Sequence, residues 1–229
     1  MSDDERRFES RATDRLVAFS DAVVAIAITL LALDLPVPTG ATMSEFLHSV
    51  GNNIDRYIAF LISFVVIAAA WRRYHAVFRY IERVDAQIRN YNVLWLLMII
   101  LNPFATRLLT THGTGTAGPR TVQFGFYALL QVLSSAALLL TVHHAAAHHL
   151  EDPDAPSLAE TQNDWESYGV MAGFALSIPL FLVTSDAWVL WVLAPVLVGQ
   201  IGDRRRRRSG RARGPGQPPD PPADPGTAT

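Results

Sequence analysis

An all-α integral membrane protein is the fold class this sequence predicts, and three observations carry the prediction. Half of the 229 residues are hydrophobic and only 17% are charged, where soluble domains carry about a quarter Asp, Glu, Lys and Arg. The charges gather in the first 15 residues, between Arg72 and Arg89, and after Gly202. The stretches between are nearly charge-free and long enough to cross a bilayer core of about 30 Å, which takes about 20 apolar residues in a helix.

Residues 1–15 form a charged N-terminal segment. The first apolar stretch, 16–35, lacks the small-residue cleavage pattern of a signal peptide, so it is expected to stay in the mature protein. Stretches 57–78, 92–109 and 122–142 follow as the second to fourth spans. Residues 168–201 are too long for one crossing and are interrupted by Thr184, Ser185 and Asp186, which reads as a hairpin of two short helices. Amphipathic helices of a soluble core would show polar outer faces, and these show almost none. The expected organisation is a six-helix transmembrane domain over 16–202 and a disordered tail over 203–229, rich in proline and arginine.

Arginine placement orients the spans. Arg6, Arg7, Arg11 and Arg15 precede the first, Arg72 to Arg89 surround the second turn, and seven arginines follow Gly202. Positive charge stays cytoplasmic, so both termini are expected inside a multi-pass protein of the cell membrane. The run bounded by Arg204 and Arg208 is expected to meet anionic lipid and not nucleic acid.

Several functions are excluded or weakened. Cysteine is absent, which removes disulfides, thiolate metal sites and cysteine nucleophiles. No phosphate loop or nucleophile elbow is present, so no enzyme and no cofactor is expected. The fourth span contains no arginine and cannot sense voltage. Around Thr111 a Gly/Thr-rich loop faintly resembles a carbonyl filter, but nothing before it has room for a pore helix. His143, His144, His148 and His149 cluster after the fourth span; without a His-Glu-x-x-His motif they read as a titratable helix end and not as a metal site. Asp34, Glu45 and Asp55 could gather cations at the outer mouth or simply be solvated.

Two stripes run along the first span. Ala18, Ala22, Ala25, Thr29 and Ala32 form a small-residue face suited to close packing in lipid. Phe19, Val23, Ile26, Leu30 and Leu33 form a bulky face beside it, directed either to lipid or to a pore. Ser20 and Asp21 are costly inside a membrane and need partners. Depth points to His75 and Trp71 on the second span and Asn92 on the third, with Arg15 above them, as one buried polar network.

Arg15-x-x-x-Phe19-Ser20-Asp21 followed by Ala-Val-Val-Ala-Ile-Ala-Ile-Thr-Leu-Leu-Ala-Leu resembles the first-helix signature of the endosomal and lysosomal potassium channel family, transmembrane protein 175, in its bacterial branch. Trp71, Tyr74, His75, Phe78, Asn92 and Pro103-Phe104 extend the resemblance over residues 15–106; beyond that it is only topological. The resemblance implies a homotetramer of six-helix subunits with the pore along the first helices, conducting monovalent cations and favouring potassium. It places a hydrophobic constriction at Ile26, continued by Leu30 and Leu33, with Thr29 as the selectivity candidate. It also makes the Phe-Ser-Asp residues a brace between the first helix and the next two. The rival functions are a proton-coupled transporter built on Asp21 and His75, and a non-conducting scaffold whose basic tail is the working part.

Overall fold

The computed structural model describes residues 3–110, 117–152, 169, 171–174 and 176. Helices α1 (Asp3–Leu33), α2 (Met43–Asn52), α3 (Ile54–Phe78), α4 (Ala86–Thr110) and α5 (Ala117–Ala147) follow in order. All but α2 are long and apolar enough to cross a bilayer, and these four coincide with the first four apolar stretches of the sequence. The expected final hairpin, the Gly/Thr-rich loop at 111–116 and the arginine tail fall almost wholly outside the described residues.

Two helices start well before their apolar stretches. α1 is continuous helix from Asp3, so most of the expected N-terminal segment extends the first span. α4 begins at Ala86 because the Asp85 carboxylate accepts the Ile88 amide at 2.8 Å, as an N-cap does. This puts Asn92 well inside the helix, where it is 2% exposed.

α4 is the central helix, packed against α1, α3 and above all α5. Apolar surface gains little by leaving lipid for protein, so shape-matched packing and interhelical hydrogen bonds must hold the helices together. The packing centres on Tyr74 of α3, stacked between Phe78 (centroids 4.3 Å) and Trp95 of α4 (4.4 Å). Each such ring pair is worth about 0.5–1.5 kcal/mol beyond its area. Around the stack lie Val24, Ala27 and Leu31 of α1, Ile88 and Ile99 of α4, and Ala137 and Val142 of α5. A second apolar cluster joins Met98 and Ala105 of α4 to Phe124, Tyr127 and Leu130 of α5.

A clasp closes the α3–α4 turn over the end of α5. The Glu82 and Arg83 amides both donate to the Leu150 carbonyl, and the Asp152 amide donates to Tyr80. An isolated antiparallel bridge pairs Ile81 with Glu151. Thr13 of α1 joins through its hydroxyl to the Glu82 carbonyl at 2.9 Å. Across the clasp, Asp85 meets His144 Nε2 at 2.6 Å, and the His144 ring stacks on His148 at 4.1 Å. The histidine block therefore has a structural partner in Asp85, a residue 59 positions before His144 in the sequence.

Partial burial pushes the Asp85 carboxyl up, but the Ile88 amide, His144 and the Gln87 amide together outweigh it and hold its pKa below the usual carboxylate value. A depressed folded-state pKa contributes stability that is complete above the unfolded value, about 3.9, and is lost as pH falls through the folded value. Asp85→Asn should therefore lower the unfolding midpoint near neutral pH and flatten its decline under acid. An acid profile identical to that of the parent protein would show that the clasp does not depend on this carboxylate.

Candidate pore-lining helix and its polar anchor

The side chains of α1 fall into three stripes, not two. Ser20, Val24, Ala27 and Leu31 are buried against the rest of the subunit. Both stripes singled out in the sequence lie outside that contact. Phe19, Ile26, Leu30 and Leu33 are 61%, 57%, 47% and 79% exposed, and only Val23 of the bulky set packs partly into the core. Ala18, Ala22, Ala25, Thr29 and Ala32 are exposed as well. At about 100° per residue, the bulky stripe is turned from the buried one by about 110°, and the small stripe by about 150° the other way.

What fixes this rotation is Ser20, fully enclosed between α3 and α4. Its hydroxyl donates to the Leu16 carbonyl at 2.9 Å. Its oxygen accepts the Tyr74 hydroxyl at 3.0 Å and the Asn92 amide at 3.1 Å. A serine hydroxyl offers one donor and two acceptor positions, and all three are used.

Asp21 belongs to a separate, half-exposed arrangement. One carboxylate oxygen meets His75 Nε2 at 2.7 Å and accepts the Trp71 indole N–H at 2.9 Å. The Asp21 and His75 side chains are 39% and 34% exposed. They line a cleft of about 440 Å³ shared with Thr13, Asp14, Arg79 and Glu82. The single network expected from depth is thus two: Asn92 serves Ser20 and not Asp21, and Arg15 is exposed without closing over either. The physical reason is helical geometry. Adjacent residues diverge by about 100°, so Ser20 and Asp21 cannot face the same partner.

The acidic candidates at the other end of α1 have structural partners. Asp34 pairs with Arg107 at 3.3 Å beside a cavity of about 340 Å³. Glu45 caps α2, its carboxylate accepting the Ala41 amide at 2.8 Å. Thr29 donates its hydroxyl to the Ile26 carbonyl at 2.8 Å, which leaves the oxygen lone pairs outward.

A second buried polar cluster lies deeper between α3, α4 and α5. Ser63 accepts the Thr106 hydroxyl at 2.7 Å and the Tyr127 hydroxyl at 3.2 Å, while Gln131 donates to Asn102 at 2.9 Å. None of these residues is among those singled out in the sequence, although Asn102 with Thr106 and Tyr127 with Gln131 are polar pairs four apart inside apolar spans. That spacing was the available signal.

Removing the Ser20 hydroxyl strands the Tyr74 hydroxyl and the Asn92 amide, a loss of about 1–3 kcal/mol per unsatisfied buried group. Ser20→Ala should therefore lower the melting temperature of the purified protein more than Asp21→Asn, which keeps an oxygen for Trp71. Equal melting of Ser20→Ala and the parent would remove Ser20 as the anchor.

Comparison with known proteins identifies the family. The family model described as endosomal/lysosomal potassium channel TMEM175 matches residues 15–103. A protein of Streptomyces collinus named as a potassium channel is 34% identical over 185 residues, covering 77% of this chain and 89% of its own. A Danio rerio relative, named as an endosomal/lysosomal proton channel, is 25% identical over 115 residues but is covered over only 22% of its length. The crystal structure of a lysosomal potassium-selective channel TMEM175 homologue from Chamaesiphon minutus superposes with a TM-score of 0.65 at 26% identity, covering 85% of this chain and 98% of that one. The motif stretch lies within the matched residues, and the similarity extends over most of the chain, which therefore belongs to the TMEM175 family of ion channels.

Proposed function

We propose that this chain is the subunit of a homotetrameric channel that passes monovalent cations and favours potassium. Each subunit contributes six spans, with both termini on the cytoplasmic side of the cell membrane. The central pore runs along four copies of α1. The observation that carries this reading is the exposed bulky stripe of Ile26, Leu30 and Leu33 on a helix whose rotation is fixed by Ser20. The adjoining small stripe lets neighbouring copies approach closely, as small residues do between membrane helices.

In this arrangement the Ile26 ring is a hydrophobic constriction that conducts when it widens enough to hold water. Thr29, one turn on, supplies the nearest side-chain oxygen. Its hydrogen is already committed to the Ile26 carbonyl, so from the small stripe beside the bulky one the oxygen can act only as an acceptor. Permeant potassium is the only ligand required. The tail arginines from Arg204 to Arg208 contact anionic lipid at the cytoplasmic surface.

One observation favours a second reading, proton-coupled carriage: a carboxylate and an imidazole 2.7 Å apart in an open cleft. Planar-bilayer recording under a potassium-to-sodium gradient separates the two. A channel gives discrete currents with a potassium-directed reversal potential and needs no proton gradient. Flux that appears only when protons are supplied would favour the carrier.

Two substitutions extend the test. Ile26→Asn hydrates the constriction and should raise the current, by about tenfold for each 1.4 kcal/mol taken off the barrier. An unchanged current in normally assembled protein would remove Ile26 from the gate. Thr29→Val should lower the potassium-to-sodium permeability ratio, and an unaltered ratio would free Thr29 of any part in selectivity.

A further inference from the structure

α2 is the one described helix outside the four spans, and none of its residues is buried. It is nevertheless rigidly specified. Thr42 and Glu45 form a reciprocal capping box at its start, and the preceding loop is bound to it through the Thr39 amide and the Ser49 hydroxyl at 3.1 Å. A side chain at Gly40 would collide with the backbone of Glu45 and Phe46, so the loop's close approach requires glycine there.

Met43, Phe46, Leu47 and Val50 recur at i, i+3, i+4 and i+7, one apolar stripe of a helix. Ser44, Glu45, His48 and Ser49 occupy the rest of the surface, and the loop is bound on that polar side through Glu45 and Ser49. Most of the apolar stripe is left outward, with Met43 72%, Phe46 41% and Leu47 60% exposed and Val50 half-buried.

Position identifies what covers it. α2 joins the C-terminal end of α1 to the N-terminal end of α3, the end of the bundle away from the Arg72 to Arg89 block. That level carries boundary groups: Tyr57, whose hydroxyl donates to the Pro36 carbonyl at 2.8 Å, and the Asp34–Arg107 pair. Tyrosine and snorkelling arginine mark the junction of hydrocarbon and headgroups. α3, which follows directly and is of membrane-crossing length, also exposes Ile54, Ile58, Leu61 and Val65.

We propose that α2 is an in-plane interfacial helix, seated with Met43, Phe46, Leu47 and Val50 in the bilayer surface at that end of the bundle. The inference rests on membrane insertion and not on conduction. Because α2 carries no lysine or arginine, its seating comes from apolar burial and the lipid it fits is zwitterionic.

The chain has no cysteine, so single cysteines can be labelled directly in the full-length protein. Met43→Cys, Leu47→Cys, Ser44→Cys and His48→Cys would each carry an environment-sensitive fluorophore in phosphatidylcholine vesicles. The expected result is blue-shifted emission at positions 43 and 47, quenched by phosphatidylcholine brominated near the headgroup. Positions 44 and 48 should instead be quenched by aqueous iodide, and neither pattern should change with salt. Iodide quenching at all four positions would overturn the proposal. So would shielding of 43 and 47 from both quenchers with spin–spin coupling between nitroxides at 47, the signature of a second copy of this chain on the stripe.

Discussion

A hydroxyl that must find its partners without water organises this subunit. Inside hydrocarbon each unsatisfied polar group costs several kcal/mol, so Ser20 tolerates only a rotation of α1 that gives it Tyr74 and Asn92 together. A helix pinned at one azimuth has no freedom over its other faces. Once Ser20 points inward, Phe19, Ile26, Leu30 and Leu33 must point out of the subunit. The same pin rests on firm ground, because Tyr74 is held by ring stacking on Phe78 and Trp95.

The polar contacts fall at different levels of the bundle and divide the labour. At the N-terminal end of α1, Thr13, the Asp21 group and the clasp around Leu150 tie α1 to the α3–α4 turn and α5. Farther along the bundle, Ser63, Asn102, Thr106, Tyr127 and Gln131 join α3, α4 and α5. Beyond Ser20, α1 itself is held chiefly through Val24, Ala27 and Leu31. Between the Ser20 and Asp21 contacts near its base and the Asp34–Arg107 pair at its far end, α1 is held by packing.

Much of the architecture was legible in the residues. The four described spans follow from apolar length, and the pairing of Asp21 with His75 and Trp71 follows from depth and helical face. Less legible were features set by the third dimension. That Ser20 and Asp21 serve different partners depends on the angle between successive side chains and on where α4 lies. The start of α4 at Ala86 was signalled by Asp85, whose capping role is hidden in a charged block that otherwise reads as a turn. α2 was signalled by Thr-x-x-Glu at positions 42–45, a capping box overlooked because its apolar stripe is short. The motif stretch carried the family because it encodes the anchor itself: Phe19 on the outward stripe, Ser20 on the inward one, and Asp21 a further 100° round, lining the cleft.

The central claim is that the stripe turned outward by Ser20 lines the conduction pathway. Its most direct test is cysteine accessibility along α1 in the cysteine-free parent, recorded as block of current by a small thiol reagent. Block at positions 26, 30 and 33, with little effect at 24, 27 and 31, is the predicted pattern. Block confined to 18, 22 and 25, or absent along the helix in conducting protein, would contradict it.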